Sequence, residues 1–117
     1  MYFIACLSTG KGTWAEVSKI MTDQDWSKII LISNDFGKQN FTHAKPFDLI
    51  EINPNQDVEL LVADLKTKLK PKINDLEVGV NITSGSGKEH TALLASLLQL
   101  GIGIRFIALS STGIKEI

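Results

Sequence analysis

The segment 78–91 constrains the fold most, because an apolar run changes within it to a glycine-rich loop. Residues 78–82 are largely apolar, residues 83–88 read Thr-Ser-Gly-Ser-Gly-Lys, and an apolar helical pattern begins at about Glu89. This order predicts a strand, a turn and a helix N-terminus. Unpaired N–H groups and the helix dipole favour an anion there, and phosphate is the commonest anion of that size. The simpler alternative is a turn in which glycine only permits tight backbone angles.

The loop does not match the P-loop motif of nucleotide hydrolases. With Gly87-Lys88 aligned to G-x-x-x-x-G-K-[ST], that motif needs Gly at position 82 and Ser or Thr at position 89. The chain has Ile82 and Glu89 instead, so the hydroxyl that binds Mg²⁺ is missing. ATP hydrolysis of the P-loop kind is therefore not expected.

A second loop of similar character follows the first apolar segment. Residues 2–7 read as a fully buried strand, and residues 8–12 read Ser-Thr-Gly-Lys-Gly. Thr13 and Glu16 then have the spacing of a capping box, which predicts that a helix starts at Trp14. Both glycine loops are thus expected between the carboxyl end of a strand and the N-terminus of a helix.

The apolar segments alternate regularly between strand and helix patterns. Strands are predicted at 2–7, 28–33, 47–52, 77–82 and 104–109, and helices at 14–24, 58–69 and 89–100. Segment 35–46 is open between a short helix and an irregular loop. Residues 113–117 alternate like an edge strand after a turn, which predicts an antiparallel hairpin with the fifth strand.

Continuous apolar strands separated by helices imply a mostly parallel sheet that is covered on both faces. The predicted fold class is therefore α/β, a Rossmann-like doubly wound sheet of order about 3-2-1-4-5 with a sixth, antiparallel strand at the edge. In that order the first and fourth strands are neighbours. The loops 8–13 and 83–88 are accordingly expected to meet in one crevice.

Length and composition narrow the possible functions. The 117 residues are expected to form one domain, 1–117, and the net charge of −1 gives no reason to expect binding to duplex nucleic acid or a membrane. Cys6 is expected in the core, and two distant histidines do not make a metal cluster, so no metal or cofactor is expected. Without a signal-peptide pattern or a long apolar span, a cytoplasmic location is expected.

The strand, loop and helix around residue 85 resemble the CARF domains, the CRISPR-associated Rossmann-fold sensor modules of archaea and bacteria. The motif after the fourth strand of that family looks like N-x-T-G-G-T-[KR], and Ser84 stands here where the family often has glycine. The first loop, 8–10, is similar to the small-residue loop after strand 1 of the family. The residues that resemble the motif are Asn81, Thr83, Gly85, Gly87 and Lys88.

The resemblance implies a homodimer in which these loops line a groove for cyclic oligoadenylate, a second messenger of CRISPR antiviral defence. In that family an effector domain such as a nuclease or a helix-turn-helix usually follows, and an effector protein in trans is a possible partner here. His90, four residues after Ser86, is expected to face the crevice as well. The expected ligand-binding residues are Ser8, Thr9, Gly10, Lys11, Thr83, Ser84, Gly85, Ser86, Gly87, Lys88 and His90.

Three other functions stay open from the sequence, so whether the chain is an enzyme is undecided. In some relatives a ribose 2′-hydroxyl attacks the adjacent phosphate, and Ser8, Thr9 and Lys88 would be the catalytic residues of such a metal-independent ring nuclease. Residues 10–15 also fit the dinucleotide fingerprint G-x-G-x-x-A, with Asp35 about twenty residues further on. The third is a non-catalytic Rossmann subunit that binds a partner protein.

Overall fold

A six-stranded sheet with helices on both faces forms the framework of the protein, and the computed structural model describes residues 1–7 and 11–117 of the chain. The elements of this part of the chain are β1 Tyr2–Cys6, α1 Trp14–Asp23, β2 Lys28–Ser33, α2 Asp35–Asn40, β3 Asp48–Glu51, α3 Val58–Leu69, β4 Glu77–Asn81, α4 Gly87–Gln99, β5 Gly103–Ser110 and β6 Gly113–Glu116. A short 3₁₀ helix, Lys70–Lys72, follows α3.

The strand order is β3-β2-β1-β4-β5-β6. All neighbouring strands run parallel except β5 and β6, which form an antiparallel hairpin. The predicted α/β fold class, strand order and hairpin are therefore confirmed. β1 and β4 are neighbours, with Ile4 opposite Val80 and Ala5 opposite Asn81.

The alternation of side chains along β1 divides the core into two layers. Ile4 and Cys6 pack with the buried leucines of α3 and α4 on one face, and Phe3, Ala5 and Leu7 pack with α1 on the other. Successive residues of a strand point to opposite faces, so a strand buried on both faces must be apolar throughout. This explains the continuous apolar run at the start of the chain.

Segment 35–46, which the sequence left open, begins with a short helix and continues as a loop. The side chain of Asn34 caps α2 by accepting a hydrogen bond from the Gly37 N–H at 3.1 Å. After α2, Phe41 turns inward. The centroid of its ring lies 5.5 Å from the ring centroid of Trp14 and 5.6 Å from that of Phe47. The loop is thus held by aromatic packing and crosses to β3 without a longer helix.

Helix α4 starts at Gly87, earlier than the expected start near Glu89, and one of its faces is buried. Ala92, Leu93 and Leu97 are fully buried against α3 and the sheet, whereas 66% of Leu98 is exposed. Helix α4 therefore has an apolar side chain, Leu98, that no other part of the described chain shields from solvent. None of the helices in the described residues is long and apolar enough to cross a membrane.

Two leucines of α3 test this packing, because Leu65 is fully buried and 56% of Leu60 is exposed. Leu65→Ala should lower the free energy of unfolding by about 2–5 kcal/mol, since it leaves a cavity under the helix. Leu60→Ala makes the same chemical change on the same helix and should stay within about 0.5 kcal/mol. Urea unfolding of the two variants measures the difference, and equal losses would contradict the described orientation of α3.

Candidate functional site

The candidate site lies at the carboxyl ends of β1 and β4, which pair in parallel while α1 and α4 pack on opposite faces of the sheet. Such a point of an open α/β sheet leaves a crevice between the two loops that follow the strands. The predicted residues Ser8, Thr9 and Gly10 lie outside the described residues, and their ligand contacts stay a prediction. Lys11 is exposed at the start of the next turn, with its Nζ 5.9 Å from the centroid of the Trp14 ring.

The loop between β4 and α4 is fixed by hydrogen bonds to the first turn of α4. Ser86 is the N-cap: its hydroxyl accepts from the Glu89 N–H at 3.2 Å, and the Glu89 carboxylate accepts from the Ser86 N–H at 2.8 Å. His90 Nε2 lies 2.7 Å from the carbonyl oxygen of Ser84, so this nitrogen carries a proton and donates it. The predicted ligand residues Ser84, Ser86 and His90 thus have structural bonds of their own, and their contact with a ligand stays a prediction.

Three backbone N–H groups at this loop have no hydrogen-bond partner among residues 1–7 and 11–117, namely those of Gly85, Gly87 and Lys88. Two of them belong to the first turn of α4, where the helix dipole is positive. Lys88 also carries a positive charge on its half-buried side chain. The capping box therefore uses part of the helix N-terminus and leaves a smaller set of N–H donors that could bind an anion.

Gly85 and Gly87 differ in whether the structure leaves room for a side chain. Gly85 has φ of +101°, and a Cβ there would lie 2.9 Å from Cβ of Cys6 and 3.1 Å from Nε2 of His90. A side chain at 85 would be strained by its backbone conformation and by its neighbours. A Cβ on Gly87 would meet nothing within 4 Å.

Asn81, at the end of β4, is buried and organises the other side of the crevice. Its Nδ2 donates to the carbonyl oxygen of Ile107 at 2.8 Å, and its second hydrogen faces Thr83 Oγ1 at 3.2 Å and Glu16 Oε2 at 3.4 Å. Its Oδ1 accepts from the Thr83 N–H at 3.3 Å. The Thr83 hydroxyl donates to Glu16 Oε2. A hydroxyl has one hydrogen to donate, so Thr83 can meet a ligand only as an acceptor while this bond is kept.

Glu16 is the site residue that sequence reasoning missed. The sequence assigned it to a capping box with Thr13, but the Thr13 side chain makes no capping hydrogen bond to α1. Glu16 instead reaches across the crevice to Asn81 and Thr83, 65 and 67 residues away. The available signal was topological, because the neighbouring first and fourth strands also bring the first turn of α1 beside the loop after β4.

Cys6 lies beneath the loop and is fully buried. Burial, and after it the negative charge of Glu89, raise the pKa of its thiol to about 12. A thiol with this pKa stays protonated at neutral pH and is a poor nucleophile or metal ligand. Its assignment to the core is confirmed.

Asp35, the acidic residue expected in a dinucleotide site, lies in the first turn of α2. Its two carboxylate oxygens lie 3.2 and 3.0 Å from Gln39 Nε2. Within the described residues, no three His, Cys, Asp or Glu side chains come together as a possible metal site.

No protein-family model matches the sequence, and no curated protein matches it. Among solved structures, the fold is similar to that of Enterococcus italicus Csm6 bound to cyclic hexa-2′-fluoro-hexa-dAMP, with a TM-score of 0.58 and 15% sequence identity. The similarity covers 94% of this chain and 33% of that chain, so this chain spans about a third of that protein's length. At this level of identity the comparison shows a shared fold.

Gly85→Ala should lower the free energy of unfolding of the ligand-free protein by an amount on the order of 1–3 kcal/mol, because the positive φ and the contact with Cys6 both oppose a side chain. Gly87→Ala is the matched control in the same loop. It should be neutral or slightly stabilising, since the position is open and helical. Urea unfolding compares them, and a harmless Gly85→Ala would contradict the loop geometry.

The buried thiol predicts a loss of stability at high pH. Because the pKa of Cys6 is about 12 in the folded protein and 9.0 is its ordinary value, the unfolded chain releases the proton first as the pH rises above 9. The native state then binds more protons than the unfolded state, so its stability falls with rising pH. Relative to Cys6→Ala, the wild-type free energy of unfolding should drop by roughly 2 kcal/mol between pH 8 and pH 10.5.

Urea unfolding of both proteins at the two pH values measures this difference, and other titrating groups cancel in the comparison. A constant difference would show that the thiol is accessible to water or ionised in the native state. Slow modification of native Cys6 by a thiol reagent at pH 8 is the independent check.

Proposed function

We propose that this chain is a CARF-like sensor that binds cyclic oligoadenylate in a groove between two copies of itself and thereby takes part in CRISPR antiviral defence. The observation that carries the proposal is the set of N–H donors of Gly85, Gly87 and Lys88, which have no hydrogen-bond partner among the described residues. These donors lie at the point of the sheet where α/β proteins bind ligands. A phosphate of the ligand backbone is the group that suits them.

Two likenesses support the choice of ligand. The residues from Asn81 onward resemble the CARF motif, with Asn81 and Thr83 in the corresponding places and Lys88 one residue beyond the position of the motif's Lys or Arg. The fold is also similar to that of a Csm6 protein whose solved structure contains a cyclic hexanucleotide. Motif and fold point to the same ligand class.

The ligand's symmetry and the surface of α4 support a homodimer. A ring with an even number of identical nucleotides has a two-fold axis, and two copies of one chain most often associate about such an axis. Helix α4 begins at the proposed phosphate site and carries the exposed Leu98 on its outer face. A second copy that covers this face would bring two phosphate sites together in one groove.

The proposed activity is binding, with the signal passed to an effector protein in trans. His90 is not the base of a cleavage reaction, because its ring nitrogen Nε2 donates to the carbonyl oxygen of Ser84. A cytoplasmic location follows from the proposed role, because the messenger would be made and sensed inside the cell.

Native mass spectrometry with cyclic tri-, tetra- and hexa-adenylate tests the proposal, because it reports chain number and bound ligand together. Two chains with one ring are expected. Lys88→Ala should weaken binding by roughly 1–3 kcal/mol, the range for a charge-assisted hydrogen bond. Lys70→Ala removes the same charge before the amino end of β4 and should leave affinity unchanged.

Linear oligoadenylate of the same length is the ligand control, and recovery of intact rings after incubation in EDTA checks that binding occurs without cleavage. Failure of the folded protein to bind any ring would refute the proposal. Equal affinity of wild type and Lys88→Ala would refute the assigned phosphate site.

A further inference from the structure

Glu16 presents a carboxylate to the crevice in a fixed orientation. Its Oε2 accepts hydrogen bonds from Thr83 Oγ1 and, at 3.4 Å, from Asn81 Nδ2. Among the described residues, 1–7 and 11–117, its Oε1 has no hydrogen-bond partner. One oxygen is therefore held by the protein, and the other remains able to accept a further hydrogen bond.

The position of this carboxylate is set by hydrogen bonds that are anchored at the buried residue Asn81. Asn81 is 2% exposed and is anchored to β5 through the carbonyl oxygen of Ile107, while its Oδ1 holds the Thr83 N–H. The donors that hold Oε2 thus belong to Asn81, the last residue of β4, and to Thr83, whose N–H is held by Asn81. A carboxylate that is oriented before a ligand arrives loses little freedom on binding.

The negative charge of Glu16 divides the crevice into two parts. A phosphate would be repelled from Oε1 and is favoured at the N–H groups of Gly85, Gly87 and Lys88. The free oxygen can accept only from a group that donates a hydrogen, such as a hydroxyl or an amine. Thr83 links the two parts, because it lies next to Ser84 in the loop and donates to Glu16.

In a ribonucleotide chain, the hydroxyl nearest to a phosphate is the ribose 2′-hydroxyl, which stands on the carbon beside the one that carries the 3′-phosphate. We infer that Glu16 accepts a hydrogen bond from the 2′-hydroxyl of a nucleotide whose phosphate lies at the N-terminus of α4. This inference rests on the proposed function and adds the residue that selects ribose over deoxyribose. The 2′-hydroxyl is the group by which proteins distinguish the two sugars.

A 2′-fluoro ring is the matched probe, because fluorine is similar in place but has no hydrogen to donate. The ligand in the Csm6 structure is of this chemical class. Cyclic tetra- and hexa-adenylate, each in the 2′-hydroxyl and the 2′-fluoro form, should be titrated calorimetrically into wild type, Glu16→Ala and Glu59→Ala. Glu59 is an exposed carboxylate on α3, on the opposite face of the sheet from α1.

The ratio of the two affinities in each protein is the measurement. Wild type should bind the hydroxyl form tighter by about tenfold, as expected for a hydrogen bond to a charged group. Glu16→Ala should bind both forms equally, and Glu59→Ala should keep the wild-type ratio. A purely structural role of Glu16 would weaken both forms by the same factor and leave the ratio unchanged, because both carry the same phosphates.

Three outcomes overturn the inference while the proposed function stands. Wild type binds the hydroxyl and fluoro forms equally, or the preference for the hydroxyl form survives in Glu16→Ala. The third is that Glu16→Ala abolishes a preference for adenine over hypoxanthine rings instead, which would assign Oε1 to the exocyclic amine. If wild type binds no ring in either form, the proposed function itself fails. The inference then falls with it.

Discussion

The parallel pairing of β1 with β4 is the interaction on which the rest of the site depends. It places Ala5 opposite Asn81, and with that the first turn of α1 faces the loop that leads into α4. Both strands are buried on both faces, so their register is fixed by the two core layers. A shift of one residue would turn Asn81 away from the crevice and would place an apolar side chain at its position.

The loop after β4 is ordered by contacts that do not involve a ligand. Glu16 holds Thr83, His90 holds the Ser84 carbonyl, and Glu89 holds the Ser86 N–H. A binding loop that is already in place avoids part of the entropy cost of ordering on association. In the proposed site, the N–H donors that stay open would therefore already be in place when a ligand arrives.

Two segments with the same spacing show how far the sequence alone could predict the site. Thr13 and Glu16 have the S/T-x-x-E pattern, and so do Ser86 and Glu89, yet only the second pair forms a capping box. Local spacing determines which capping hydrogen bonds are possible. Whether they form depends on competing contacts with residues that are distant in the sequence. Glu16 has the Thr83 hydroxyl within reach from another part of the sheet, and this tertiary contact replaces the local one. The strand order was predictable because it follows from alternation and handedness, which are properties of whole elements.

Retention of glycine among homologues would mean different things at Gly85 and at Gly87. Gly85 is required by its backbone conformation and by the contact with Cys6, so any relative with this fold is under pressure to keep it, whatever it binds. Gly87 lies at an open helical position that many residues would tolerate in the folded chain. Among homologues, retention of glycine at 85 therefore reports common architecture, while retention at 87 reports selection for something that approaches the backbone closely.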